Sequence, residues 1–314
     1  MMNQDLNFIF FGTRELAAKV LERLLNAGYS PSLVVTAPDR KAGRKQKLTS
    51  SPVKKVALKH NLPLAQPENP AELQEKKELK EAELFVLSAY GNILSKELIE
   101  LPSKGVLNVH PSLLPKYRGP APERFALLNG EKKTGVTIIL MDEQVDHGSI
   151  VAQEEFVIPQ DMKHEELHTK LGEIGGELLV KTLPLWLKGK IKPKEQDHSK
   201  ATFTKKVKKE DGRIDWNKEA EYILRQIRAF DSWPGTYTHW SKRTLKILQG
   251  SAGKIPSEYS SSFPGSIIPW QKGFAVVTPK DALVVEQVQL EGGKPMPAKD
   301  FLLGHKDFLG TILK

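Results

Sequence analysis

The chain has 314 residues, no cysteine and a formal net charge of +9, with 39% hydrophobic and 27% charged residues. It is too apolar for a disordered chain and, at roughly 100–200 residues per domain, long enough for two folded domains. Without cysteine there is no disulfide, thiolate metal site or thiol nucleophile, and no apolar run reaches the roughly 18 residues of a membrane span. The start of the chain lacks a signal-peptide pattern, so a cytoplasmic protein is expected.

The apolar run 7–11 ends at Gly12 and reads as a strand. Helical spacing follows over 15–26, with Leu16, Val20 and Leu24 on one face and Gly28 placed to stop it. A strand over 33–36 leads into a long basic loop, then a helix opening at Pro52, a weak strand over 62–65 and a charged helix over 71–81. Buried-type strands are expected over 83–88 and 106–109. This alternation predicts an α/β domain with a mostly parallel sheet, which binds ligands beyond the carboxyl ends of its strands. Two antiparallel strands (135–141 and 150–158) and a long helix over 163–187 complete it. Residues 188–209 are polar and lysine-rich, without apolar periodicity, and read as a linker. Beyond them, a helix over 220–229 and short strands between Gly, Pro and Ser clusters predict a small β-rich domain, a barrel by its pattern.

The positive charge is concentrated in two places. Residues 39–59 carry a net +7 and residues 192–209 a net +5, leaving the rest of the chain at −3. Two such segments suit a polyanion such as nucleic acid, although a solvated surface is the commoner origin of a charge run.

The densest chemistry lies in Asn108-Val109-His110-Pro111-Ser112-Leu113-Leu114-Pro115 and the following Arg118-Gly119. Strand alternation puts Asn108 and His110 on one face at a strand's carboxyl end. An Asn amide can donate to a developing oxyanion, and an imidazole can move a proton near neutrality. Met141-Asp142-Glu143-Gln144-Val145-Asp146 ends the next strand and offers carboxylates to orient an imidazole. His164-Glu165-Glu166-Leu167-His168 matches the zinc-peptidase pattern, but flanking lysines suggest an exposed helix face, and no metal site is expected. Phe11-Gly12-Thr13 lacks the further glycines of a dinucleotide turn. Gly172, Gly175 and Gly176, inside a helix, suggest close packing.

The run N-x-H-x-S-L-L-P-x-x-R-G-x-x-P, followed by M-D-x-x-x-D-x-G, resembles the 10-formyltetrahydrofolate-dependent formyltransferases. The basic stretch around Arg40, Lys41 and Arg44 resembles the branch acting on methionyl-tRNA. So do Gly212-Arg213-Ile214-Asp215-Trp216 and Trp233-Pro234-Gly235. The resemblance implies a Rossmann-like α/β catalytic domain (1–191), a basic linker (192–208) and a C-terminal OB-like β-barrel (209–314). It implies Asn108, His110 and Asp146 as the catalytic trio. Formyl-folate would meet Ala89, Tyr90, Gly91, Ser112, Leu113, Leu114, Pro115, Asp142 and Val145. Initiator methionyl-tRNA would meet Arg40, Lys41, Arg44, Lys45, Lys47, Lys205, Lys206, Lys208 and Lys209. No metal, no membrane contact and a monomer go with it. Arg14, Lys41, Glu123 and His147 depart from the family's usual residues. A formyltransferase acting on a sugar nucleotide or small amine would share the catalytic block without the basic loop. A formyl-folate hydrolase module would lack the C-terminal motifs, and a decayed RNA-binding relative would have lost the trio.

Overall fold

The structure, a computed structural model, describes residues 6–42 and 47–314. The chain divides into two compact units: Met1–Glu123 with Lys132–Ile158 and Glu166–Lys205, and Arg124–Glu131 with Pro159–Glu165 and Lys206–Lys314.

The first unit is built on β1 (Phe8–Gly12), α1 (Glu15–Asn26), β2 (Leu33–Val35), β3 (Arg40–Ala42), β4 (Lys47–Thr49), α2 (Pro52–Lys59) and β5 (Leu64–Ala65). Then come α3 (Lys77–Glu81), β6 (Leu84–Ser88), α4 (Lys96–Glu100), β7 (Val106–His110), α5 (Pro122–Leu128, which from Arg124 on counts with the second unit), β8 (Lys133–Leu140), β9 (Ser149–Val157) and α6 (His164–Leu187, counted here from Glu166). The seven-stranded sheet has the order β5-β2-β1-β6-β7-β8-β9, parallel as far as β7 and antiparallel beyond. All five residues of each of β1, β6 and β7 are buried, as a sheet covered on both faces requires. The glycines of α6 allow the close approach expected of them. A Cβ at Gly172 would lie 2.8 Å from the Leu16 carbonyl of α1, and one at Gly175 would lie 2.6 Å from Val109 of β7. The long helix is thereby seated directly against the strand that carries Asn108 and His110.

Three expectations differ from the fold. The basic loop contains a short antiparallel hairpin, β3 with β4, whose polar sequence gave no strand signal. The charged stretch over 71–81 breaks into a 3-10 turn (Pro70–Leu73) and α3. Its two buried leucines, Leu73 and Leu79, are six residues apart and would face different sides of one continuous helix; the break turns both inward. The short helices α4 and α5 were not foreseen, since five to seven residues carry too little periodicity.

Unit two contains α7 (Ala220–Ala229), β10 (Tyr237–Trp240), β11 (Arg243–Gly253), β12 (Ile267–Trp270), β13 (Gly273–Val277), β14 (Ala282–Leu290), β15 (Met296–Pro297) and α8 (Ala298–Gly304). Its antiparallel sheet runs β10-β11-β14-β13-β12, with β15 beside β14, and curls as the half-barrel of an OB-like element. The bulge near Gln249 of β11 supplies local bending. Trp240, Phe274, Phe301 and Phe308 pack at ring separations of 4.8–6.3 Å in its core. The two C-terminal motifs meet here: Ile214 N–H donates to the Tyr237 carbonyl, and Gly212 lies against Gly235. No helix among the described residues is long and apolar enough to cross a membrane.

Candidate active site

Strand register brings the expected trio together. Asn108 and His110, both buried on one face of β7, are met by Asp146 from the turn between β8 and β9. Asp146 Oδ1 lies 3.3 Å from Asn108 Nδ2 and 3.3 Å from His110 Nδ1, while its Oδ2 accepts the Gly119 amide at 2.7 Å. The other ring nitrogen, His110 Nε2, lies 3.0 Å from the Tyr117 carbonyl.

These partners bias the protonation of the ring. A backbone carbonyl only accepts, so Nε2 carries a hydrogen. The carboxylate facing Nδ1 favours a hydrogen there too. Two acceptors around one imidazole favour its protonated form. Burial works against that charge, but the Asp146 charge and hydrogen bond, the Tyr117 carbonyl and the Glu123 charge outweigh it and hold His110 above its usual pKa. Burial likewise pushes the Asp146 carboxyl up. His110, the Gly119 amide and Arg118 pull harder, and the net direction is down.

The backbone around the trio takes uncommon conformations. Ala89, Tyr117 and Asp146 have φ of 40°, 60° and 50°, a left-handed region uncommon outside glycine and concentrated at functional sites. Gly119 has φ 105°, and a Cβ there would lie 2.8 Å from the Thr204 carbonyl. Glu123 is buried and takes His168 Nδ1 at 2.8 Å, while His168 Nε2 accepts the Leu16 amide at 3.2 Å. The two histidines of the zinc-like motif are therefore buried, contrary to the exposed face expected. The Nε2 lone pair of His168 is already committed to a backbone amide.

Of the segments expected to hold formyl-folate, 89–91 and 112–115 follow the carboxyl ends of β6 and β7, and Asp142 and Val145 lie in the turn after β8. Thr13 Oγ1 donates to the Tyr90 carbonyl at 2.9 Å, and the Tyr90 ring packs edge-on to Phe11 at 5.5 Å. Gly91 has φ 90°. In the Ser112–Pro115 loop, Thr137 Oγ1 donates to the Ser112 carbonyl and accepts the Leu114 amide, and Gln153 donates to the Leu114 carbonyl. Ile93 and Val145 are exposed apolar side chains (82% and 58%) on turns that the Lys96–Glu143 ion pair joins at 2.8 Å. Asp142 Oδ2 faces His147 Nδ1 at 2.6 Å.

Of the residues expected to meet tRNA, Arg40, Lys41 and Lys47 are exposed on the β3–β4 hairpin; Arg44 and Lys45 lie outside the described residues. Lys205 is exposed in the first unit and Lys206, Lys208 and Lys209 in the second. Asp39, the one acid of the basic stretch, holds the base of the hairpin. It binds Lys54 Nζ at 2.8 Å, Gln66 Nε2 at 3.0 Å and Ser50 Oγ at 3.2 Å, and the Lys54 contact holds its carboxyl below the usual range.

Sequence reasoning missed the support supplied by the polar segment after α6. Ile150 and Lys194 exchange backbone hydrogen bonds, and residues 202–204 run beside the Tyr117–Gly119 loop. Thr202 Oγ1 accepts the Tyr117 amide, the Thr202 carbonyl accepts the Arg118 amide, and Thr204 N–H donates to the Arg118 carbonyl. Polar residues with no period leave no signal of such bracing.

Residues 6–183 match the formyl transferase family, and residues 206–306 match its C-terminal domain. The methionyl-tRNA formyltransferase of Chloroflexus aurantiacus is 43% identical over 308 residues, covering 96% of this chain and 98% of the relative. That of Caldanaerobacter subterraneus is 40% identical over 313 residues, covering 98% and 100%. Among solved structures, an N-formyltransferase from Helicobacter canadensis in complex with folinic acid and dTDP-3-aminofucose superposes with a TM-score of 0.67 at 20% identity, over 89% of this chain and 98% of that one. A buried Asn–His–Asp cluster at the carboxyl end of the sheet, carried on a chain related to these enzymes over nearly its whole length, leads to one conclusion: the chain belongs to the methionyl-tRNA formyltransferase family.

Proposed function

We infer that this enzyme transfers the formyl group of 10-formyltetrahydrofolate to the α-amino group of initiator methionyl-tRNA, with Asn108, His110 and Asp146 as its working groups. The observation that carries the roles is the pairing of an imidazole with a carboxylate beside a side-chain amide, in one cluster. The neutral amine adds to the formyl carbon, and negative charge develops on the formyl oxygen. Asn108 has two amide hydrogens; one is aimed at Asp146, leaving a second for that oxygen. The fixed positive charge of His110 stabilises the same oxyanion in a site of low dielectric. As the adduct collapses, one proton must pass from the amine to the departing folate nitrogen. Asp146 can accept it and His110 can give one up, so the pair returns to its starting state. No covalent enzyme intermediate is needed.

Residues 89–91, 112–115, Asp142 and Val145 are assigned to the folate, held largely by backbone groups. Arg40, Lys41, Arg44, Lys45 and Lys47, with Lys205, Lys206, Lys208 and Lys209, are assigned to the tRNA backbone. A cytoplasmic monomer completes the reading. The deciding assay is formyl transfer from 10-formyltetrahydrofolate to charged initiator methionyl-tRNA, with elongator methionyl-tRNA as control. Transfer to neither, or equally to both, overturns the substrate assignment.

The basic stretch yields two predictions of opposite electrostatic origin. Arg44→Ala weakens tRNA binding and reduces the slope of log affinity against log salt by about 1 if one phosphate contact is lost. Titrations at several salt concentrations read both. Asp39→Asn makes the protein more positive, so charge alone predicts tighter tRNA binding. If Asp39 instead fixes the hairpin's base, binding weakens, and filter binding at one salt concentration separates the two signs. We expect weakening, because three side chains converge on that carboxylate.

A further inference from the structure

Gln196 lies in the polar segment after α6 and is buried, although its neighbours Glu195 and Asp197 are exposed. Its amide is saturated. Nε2 donates to the backbone carbonyls of Asp146 at 2.9 Å and Gly148 at 2.7 Å. Oε1 accepts from Arg118 Nε at 3.2 Å and Nη2 at 2.7 Å. Which end of the amide is oxygen follows from the partners: a guanidinium only donates and a carbonyl only accepts. Glutamine is the side chain that supplies two donors and a two-lone-pair acceptor at this reach.

Both sets of partners belong to the working cluster. The donors grip the backbone on either side of His147 in the turn that carries Asp146, whose φ of 50° is left-handed. The acceptor fixes Arg118, whose neighbours Tyr117 and Gly119 supply the carbonyl on His110 Nε2 and the amide on Asp146 Oδ2. Arg118 is itself buried, and its charge helps hold the Asp146 carboxyl down. A second brace runs alongside. Arg118 Nη2 donates to His198 Nδ1 at 2.8 Å, and the His198 ring stacks on His147 with centroids 4.1 Å apart and planes 3° from parallel.

We propose that Gln196 is a positioning residue for Asp146, locking the turn that carries the carboxylate to the loop that presents the Tyr117 carbonyl and the Gly119 amide. This rests on the reading of Asp146 as a working carboxylate. Removing the amide leaves substrate-contacting groups in place but lets Asp146 drift from His110 and Asn108, so the loss falls on turnover and not on binding.

The test compares Gln196→Met in the wild-type and Asp146→Asn backgrounds. Alone, Gln196→Met lowers kcat by about 10- to 100-fold, with KM for formyl donor and methionyl-tRNA little changed. In the Asp146→Asn background it lowers kcat by no more than about twofold, because its route of action is already gone. An equal loss in both backgrounds, or unchanged kcat in the single variant, overturns the proposal. Should the methionine variant fail to fold, Gln196→Glu retains the acceptor toward Arg118, removes the two donors, and reads the same comparison. The ring titration of His110, followed by NMR, is independent of activity. It moves to lower pH in the Gln196 variant if the amide holds Asp146 against the imidazolium, and an unmoved titration counts against it. Near-normal turnover of Asp146→Asn alone would instead fail the parent reading, with the His110 titration still judging Gln196.

Discussion

Replacing His110 with alanine lowers kcat by about 10²–10³-fold, the usual cost of losing one preorganised group facing a developing oxyanion. The substitution removes the charge opposite Asp146 and leaves a buried carboxylate with the Asn108 and Gly119 donors but no counter-ion at Nδ1 distance. Binding of formyl-folate changes far less, since the segments assigned to it are set by Thr13, Thr137 and Gln153. Single-turnover formylation measured alongside donor binding separates the two quantities. Turnover within a few-fold of wild type would remove His110 from the mechanism.

Replacing Asp146 with asparagine lowers kcat by about 10²–10⁴-fold and also changes the pH profile. In the wild type the carboxylate overcomes burial and raises the His110 pKa. Without it, the leading contributions that oppose burial are gone and the ring loses its proton at lower pH. Activity needs the imidazolium, so the alkaline limb of kcat moves toward lower pH in the variant. The acid limb belongs to the substrate amine and stays. Stability follows the same linkage. His110 has a raised folded pKa, so its contribution is complete below the unfolded value of about 6.5 and is lost as pH rises through the folded value. The folded pKa of Asp146 is lowered, so its contribution is present above about 3.9 and is lost as pH falls through the folded value. The pair stabilises the fold most between these limits. Denaturant titrations of wild type and Asp146→Asn across pH should diverge most there. A pH profile with an unmoved alkaline limb would show that the two groups are not coupled.

The catalytic residues were legible because their chemistry coincides with their position. Asn108 and His110 alternate on a buried strand, so period alone put them on one face, whereas Asp146 was one of several carboxylates in the next turn and was singled out only by the resemblance. The long amphipathic elements were legible for a similar reason, and α1 and α7 fall at the boundaries that their periodicity predicts. What escaped was held by polar contacts distant in sequence. Gln196 reaches Asp146 across 50 positions and Thr202 reaches Tyr117 across 85, in a stretch whose composition suggests only solvent. Glu123 was a departure from the family pattern without an evident partner until the fold placed His168 beside it. The β3–β4 hairpin was hidden by its charge, because strand patterning is read from apolar alternation and this hairpin has almost none.

The bridge between Arg118 and Phe203 also bears on how the enzyme can be dissected. The formyl transferase match ends at residue 183 and the long helix at Leu187, so a fragment cut there would look complete by family boundary and by secondary structure. It would nonetheless lack Gln196, His198, Thr202 and Thr204, and with them the clasp on the loop that shapes the site. A catalytic fragment carried through Lys205 retains that clasp. In expression trials the longer piece should melt later and give the sharper spectrum, and the residues between Leu187 and Lys205 would account for the difference.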